Sequence, residues 1–218
     1  MRNNISFEKL HNKRKEFLVE NKNKDHIILS GTNNILISTP HGVSQVRLGK
    51  LKVAEIGALT TALQLKNLTN CHLIAKTKNN NDDANFDERS KYKDSIKKLI
   101  KQHNIKYIID IHGLASHREC DINLGTHLGN NISADTNAFN LLNKLFLNND
   151  FTVSIDQPFM AGSRTISGGI KNEFPNMWTL QIEINCGITN KKENYEKYKK
   201  LINILKQWII EIEHCNDN

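Results

Sequence analysis

The chain is poor in aromatic residues, has no apolar run of membrane-spanning length and shows no paired-cysteine spacing. Phe, Trp and Tyr make up 6% of its 218 residues, which leaves few rings on which nucleic-acid bases could stack. No stretch approaches the roughly 18 apolar residues of a membrane span. The start MRNNISFEKLHNKRKEF is charged where a secretory leader would be apolar, so a soluble, cytoplasmic protein is expected. Cys71, Cys120, Cys186 and Cys215 form no CxxC pair, which argues against a zinc ribbon or a disulfide framework and for reduced thiols. There is no internal repeat, and the Asn-rich 78–82 is too short to form a low-complexity region.

The charge balance, 30 Lys and Arg against 23 Asp and Glu, leaves a net +7. A nucleic-acid partner would require clustered cations. Here the lysines are scattered through 91–101 and 191–206 among apolar residues at helical spacing, the pattern of solvated helix faces. No nucleic acid or membrane partner is expected, and attraction of a small anionic substrate is the secondary reading of the charge. With 38% hydrophobic residues, a single domain over 1–218 is expected, its core at about 26–213.

Strand-like and helix-like segments alternate. Residues 5–20 carry Phe7, Leu10, Phe17 and Leu18 among charges, as an amphipathic helix does. Strands are predicted at 26–30, 35–40, 71–77, 107–112, 152–156 and 178–185, and helices at about 51–66, 89–103, 136–147 and 194–213. This order predicts an α/β fold with a mixed, largely parallel sheet covered by helices on both faces. Segments 78–88, 117–131 and 156–176 read as long irregular loops, which in a compact domain are functional or mobile.

Three of the strand-like runs carry chemistry at or near their ends: ILISTPHG (35–42), YIIDIHG (107–113) and WTLQIEIN (178–185). Parallel α/β sheets collect ligands at the carboxyl ends of their strands, so His41, His112 and Glu183 can converge there. Asp110 and His112 lie two apart and share a strand face, an arrangement in which the carboxylate orients a ligating imidazole. A buried, hydrogen-bonded His at a strand end is the alternative for His112, and a surface turn is the alternative for the PHG at 40–42. A catalytic zinc takes three protein ligands and a water. Helix phase offers Glu55 as the third, on one stripe with Leu59, Ala62 and Leu63, the alternative being a salt bridge to Lys52 or Arg47. Gln181, Glu183 and Asn185 share the other notable strand face, either an edge open to water or the floor of a cleft. Beside a metal, Glu183 would be the general base. Arg118 and Arg164 stand in loops near these segments, where guanidinium groups bind carboxylates or stabilise an oxyanion, although surface arginine is the ordinary role. Cys186 is close enough to line the same site, while an isolated Cys is more often a packing residue.

Taken together, PHG (40–42), IDIHG (109–113), DINLGT (121–126) and QIEIN (181–185) resemble the N-formylglutamate amidohydrolase family over roughly residues 35 to 187. That family is related in fold to zinc carboxypeptidases and aspartoacylases. The resemblance implies a phosphorylase/hydrolase-like α/β fold and zinc-dependent hydrolysis of the amide bond of a small acidic substrate, N-formylglutamate-like or γ-glutamyl. It implies His41 and His112 as zinc ligands and Glu183 as general base. Glu55 completes the candidate metal set and Arg118 the catalytic set, and Arg164, Asn85 and Arg47 are candidate substrate-binding residues. Three positions depart from the related patterns: Ser44 stands where carboxypeptidases place a glutamate three residues after the first His, and Cys186 and Phe86 stand where formylglutamate hydrolases have the Arg after the EIN stretch and the Arg of Asp-x-Asn-Arg. The alternative function is a metal- or ligand-binding protein on the same fold without turnover, distinguished by whether Glu183 lies in a cleft or faces bulk solvent.

Overall fold

The computed structural model describes residues 6–214; residue 5 of the first expected helix and Cys215 lie outside the described residues. The chain runs α1 (Phe7–Asn21), β1 (His26–Leu29), β2 (Ile35–Thr39), β3 (Gln45–Arg47), β4 (Lys50–Lys52), α2 (Ile56–Thr69), β5 (His72–Lys76) and α3 (Lys91–His103). It continues through β6 (Tyr107–Leu114), β7 (Ile122–Gly125), α4 (Thr136–Leu147), β8 (Val153–Ile155), α5 (Ile166–Glu173), β9 (Trp178–Asn185), α6 (Cys186–Asn190) and α7 (Tyr195–His214). Local chemistry sets several boundaries. The hydroxyl of Ser90 and the carboxylate of Asp135 accept backbone N–H bonds at the starts of α3 and α4. Asn70 and Asn104 end α2 and α3 in the left-handed conformation that Asn tolerates.

Seven strands form one mixed sheet in the order β1-β5-β2-β6-β9-β7-β8, with β3 and β4 as a separate hairpin. The pairs β5/β2, β2/β6 and β6/β9 are parallel, while β1 and β7 pair antiparallel with β5 and β9. The largely parallel α/β architecture expected from the alternating segments is therefore present. Helices cover both faces because the central strands are apolar on both. Ile35, Ile37, Ile109, Ile111, Leu180 and Ile182 pack into one core with residues of α2, α4 and α7. Leu36, Ile74 and Ile108 pack into a second core with Tyr92 and Ile96 of α3 and Ile166 and Ile170 of α5. Trp178 and Trp208, both fully buried, meet at 5.7 Å in the first core. Each indole N–H donates to a carbonyl of the α4 region, those of Asp135 and Ala138, so no polar atom is stranded there.

Four local readings need correction. Residues 117–131 contain strand β7 and residues 156–176 contain helix α5. INLG and the glycine-bearing ISGGIKNE are weak by local propensity, and pairing with β9 and burial of Ile166 and Ile170 stabilise them instead. The helix predicted from 51 starts at Ile56, because 45–52 is a hairpin whose turn residues Leu48 and Gly49 both have positive φ. Glu55 consequently precedes α2 and is not on its buried stripe.

No helix among the described residues is long and apolar enough to cross a membrane. Cys71, Cys120 and Cys186 are free thiols.

Candidate metal centre

The parallel neighbours β2 and β6 bring the two histidines together. His41 follows the end of β2 and His112 lies near the end of β6, and their rings meet edge-on at 4.8 Å between centroids. Glu55 joins them across the sheet end. Its backbone N–H donates to the His41 carbonyl at 2.9 Å, and Oε2 accepts from the Gly113 N–H at 2.9 Å. Glycine at 113 eases this approach, since a Cβ there would lie 3.1 Å from Glu55 Cβ and 3.3 Å from Cys186 Sγ, closer than side chains ordinarily pack. One ligand atom each from His41, Glu55 and His112 lies within 4.8 Å of the other two. The Glu55 carboxylate faces His41 Nδ1 at 2.7 Å and His112 Nδ1 at 3.2 Å.

Behind each imidazole stands a buried carboxylate. Asp83 Oδ1 meets His41 Nε2 at 2.9 Å and Asp110 Oδ2 meets His112 Nε2 at 3.1 Å, and both aspartates are fully buried. If Nε2–H donates to an aspartate, Nδ1 is the ring's free lone pair, turned toward Glu55. Two Nδ1 atoms and a carboxylate form a zinc-type donor set. The carboxylates of Glu55, Asp83 and Asp110 around the two imidazoles favour positive charge at this point. Asp110 Oδ1 has no hydrogen-bond partner among the described residues, while Oδ2 meets His112 Nε2. Without metal, protons serve as the countercharge. Burial disfavours both imidazolium ions, yet Glu55 and the aspartates outweigh it and hold the pKa of each histidine above its ordinary value. Burial also pushes Glu55 upward, and the two histidines reverse that and depress it.

Asp83 is the residue whose place at the centre its sequence signal did not disclose. It lies in the expected irregular loop, and the loop is fixed by several bonds. Lys76, fully buried at the end of β5, donates to Asp82 and Asp25 at 2.7 Å each. Gln45 of the β3–β4 hairpin accepts from the Ala84 N–H at 3.0 Å and donates to the Pro40 carbonyl at 2.6 Å. Arg47 donates from Nε to Asp83 Oδ2 at 2.7 Å. The Asp-x-Asn pattern at 83–85 was the available signal, but it says nothing of the histidine 42 positions earlier.

Glu183 stands in β9 directly beside His112 of β6 in the parallel register. It is 5% exposed. β9 is a central strand between β6 and β7, so the polar face of Gln181, Glu183 and Asn185 is not a sheet edge. Gln181 Nε2 donates to Glu183 Oε1 at 2.7 Å. Burial, followed by the opposing influence of His112 and the reinforcing one of Glu55, pushes the carboxyl up to about 7, a value suited to accepting and returning a proton near neutrality.

The remaining candidates divide into two groups. Arg47 and Arg164 both lie over the Phe86 ring, 4.8 and 5.5 Å from its centroid, and Arg47 is linked through Asp83 to His41. Asn85 is buried and its Oδ1 accepts from the Ile166 N–H at 2.8 Å, tying the Asp83 loop to the start of α5. Arg118 is exposed in the turn after β6, where its carbonyl accepts from Asn185 Nδ2, and its side chain makes no ion pair among the described residues. Cys186, half-buried beside Gly113, has its thiol pKa raised by burial and by Glu55 and Glu183.

No protein-family model and no curated protein matches the sequence. Solved structures do match in fold. Gene product Atu2144 from Agrobacterium tumefaciens aligns with a TM-score of 0.65 at 13% identity, covering 92% of this chain and 99% of that one. N-formylglutamate amidohydrolase from Ralstonia eutropha JMP134 aligns with a TM-score of 0.58 at 12% identity, over 87% and 97% of the two chains. A bacteriophage poly-gamma-glutamate hydrolase aligns with a TM-score of 0.51 at 13% identity, over 86% and 89%. At these identities the likeness is one of fold.

Proposed function

We propose that this chain is a metal-dependent hydrolase, one hydrolase-like domain over 1–218, that cleaves the amide bond of a small acidic substrate of the N-formylglutamate or γ-glutamyl type. The observation that carries the reading is the convergence of two histidine Nδ1 atoms on the Glu55 carboxylate, each imidazole backed by a buried aspartate. The fold is also that of the amidohydrolase and poly-gamma-glutamate hydrolase neighbours.

His41, Glu55 and His112 would hold a zinc-type ion. Bound there, the ion supplies Lewis acidity that makes water a nucleophile near neutral pH and polarises the amide carbonyl. The chain's own part follows from its side chains. Asp83 and Asp110 fix the ring orientations of His41 and His112 by accepting from Nε2–H. Glu183 takes a proton from the attacking water on its carboxylate and returns it to the leaving nitrogen, and Gln181 holds one of its oxygens in place. Burial of the histidines, Glu183 and the aspartates excludes bulk water and strengthens these interactions. Arg118 is assigned the oxyanion and Arg164, Arg47 and Asn85 the substrate's acidic end.

The test is metal analysis and amide hydrolysis by the purified protein beside His112→Ala. The expected result is about one zinc equivalent and turnover in the parent, with both lost in the variant. A folded parent that takes up no divalent metal would end this reading.

A further inference from the structure

A second polar constellation stands at the junction of β1 and α3 and shares no side chain with the metal centre. Ser95 Oγ lies 2.8 Å from His26 Nε2, and His26 Nδ1 lies 2.6 Å from Asp25 Oδ2. With Nδ1–H donating to the carboxylate, Nε2 presents its lone pair to the Ser95 hydroxyl proton. This is the order of contacts of a serine nucleophile, its imidazole base and the carboxylate that orients the base, an arrangement recognised by geometry and roles rather than by position in the chain.

Each member is held by further contacts. Lys76, fully buried, donates to Asp25 Oδ1 at 2.7 Å, and Asn80 Nδ2 donates to the same oxygen. Burial raises the Asp25 carboxyl, but Lys76 and His26 outweigh it and hold the pKa below its ordinary value, so the group stays charged near neutrality. The Asp25 carbonyl accepts from the N–H groups of Thr77 and Lys78 at 3.1 and 3.3 Å. The His26 ring meets the Tyr92 ring edge-on, 5.5 Å between centroids, and the Tyr92 hydroxyl donates to the Ile74 carbonyl at 2.8 Å. A helical serine ordinarily turns its hydroxyl to the carbonyl one turn back. Ser95 turns it to the imidazole and is partly exposed, so an external reagent can reach it. Lys91 and Lys98, both exposed, lie one turn to either side of Ser95 on α3, and Asp94 is the acidic residue beside it. A tie between β1 and α3 would need one hydrogen bond. The second contact, to a carboxylate itself fixed by a buried ammonium, sets the tautomer that a base requires.

We propose that Ser95 is a nucleophile that accepts an acyl group from activated esters, with His26 as its base and Asp25 as the residue that positions the base. Ser95 Oγ bonds to the ester carbonyl carbon, its proton passes to His26 Nε2, and the bond from that carbon to the leaving oxygen breaks. The imidazolium then returns the proton to the departing oxygen, leaving acyl-Ser95, the free alcohol and a neutral imidazole. The reaction is independent of the proposed amide hydrolysis, whose residues take no part in it.

The test incubates the full-length protein, zinc-loaded and chelator-treated, with p-nitrophenyl acetate, stops the reaction with acid and locates acetyl groups by peptide mass spectrometry. Hydroxylamine distinguishes a serine ester, which it cleaves, from the lysine amides that the reagent also forms. The expected result is a hydroxylamine-labile acetyl group on Ser95 with or without zinc, and equally in Glu183→Gln. It should form at least about 100 times more slowly in His26→Gln, the low end for loss of a general base, and be absent from Ser95→Ala. Asp25→Asn keeps the shape of the side chain and should also slow the reaction, and it carries the comparison where circular dichroism shows His26→Gln to be unfolded. No acetyl ester on Ser95 in the parent, or one that forms at the parent rate in folded His26→Gln or Asp25→Asn, would overturn the proposal. An ester that forms only with zinc bound would overturn it too, since the metal centre would then be the source of the reactivity.

Discussion

At the scale of the residue, the proposed centre depends on which groups stand behind the candidate ligands as much as on those residues themselves. Glu183→Gln preserves the shape and nearly the volume of the side chain while removing its ability to accept a proton. Hydrolysis should fall by at least about 100-fold, with zinc stoichiometry and the circular dichroism spectrum unchanged. Retained turnover would assign the base to another group. Asp83→Asn removes the carboxylate that orients His41 and is also the partner of Arg47. Zinc affinity, measured by competition with a chelating dye, is expected to fall by about 10- to 100-fold; an unchanged affinity would show that Asp83 does not orient the ligand. These two substitutions act at different levels, since Glu183→Gln should spare metal binding and Asp83→Asn should impair it.

At the scale of the element, the site is held by short pieces with little propensity of their own. The β3–β4 hairpin, the Asp83 loop and α6 are placed by specific contacts rather than by apolar periodicity. Gly57, at the start of α2, lies against α6 so closely that a Cβ would stand 2.0 Å from Thr189 Oγ1 and 2.3 Å from Thr189 Cβ. Gly57→Ala should gain at most about 1 kcal/mol of helix propensity. Overpacking at a fixed Cβ costs about 1 to 3 kcal/mol, and α2 follows directly on Glu55, so the net effect should be a lower urea midpoint. A raised midpoint would mean that α6 yields without cost. The same dependence on contacts explains why β7 and α5 were expected as loop. Asn123 in β7 is buried and donates to the Gln157 carbonyl at 2.8 Å, a bond invisible to any local pattern.

At the scale of the whole molecule, metal binding at the proposed centre would be coupled to folding, because His41, Glu55 and His112 come from separate segments that only the native sheet assembles. A ligand at 100 times its dissociation constant adds about 2.7 kcal/mol to stability, and for a chain of this size that corresponds to a rise of roughly 5 to 10 °C in Tm. Zinc should produce such a rise and a chelator should reverse it. Glu183→Gln should keep the shift and His112→Ala should lose it; a Tm indifferent to zinc in the parent would count against a structural link between ion and fold. The alternation of strands and helices, the central strands with Asp110 beside His112 and Gln181 beside Glu183, and a short set of candidate ligands can be read from the residues alone. Those features are legible because strand period and the apolar runs of a parallel sheet are local properties. That Glu55 reaches the centre as the residue before α2 rather than from its buried face, that Asp83 stands behind His41, and that Phe86 gathers Arg47 and Arg164 emerges only once the chain is folded. Each of these is a contact between segments distant along the chain, set by strand order, by the loop anchored on Lys76 and by the bare backbone of Gly113, and no periodicity in the sequence encodes such a contact.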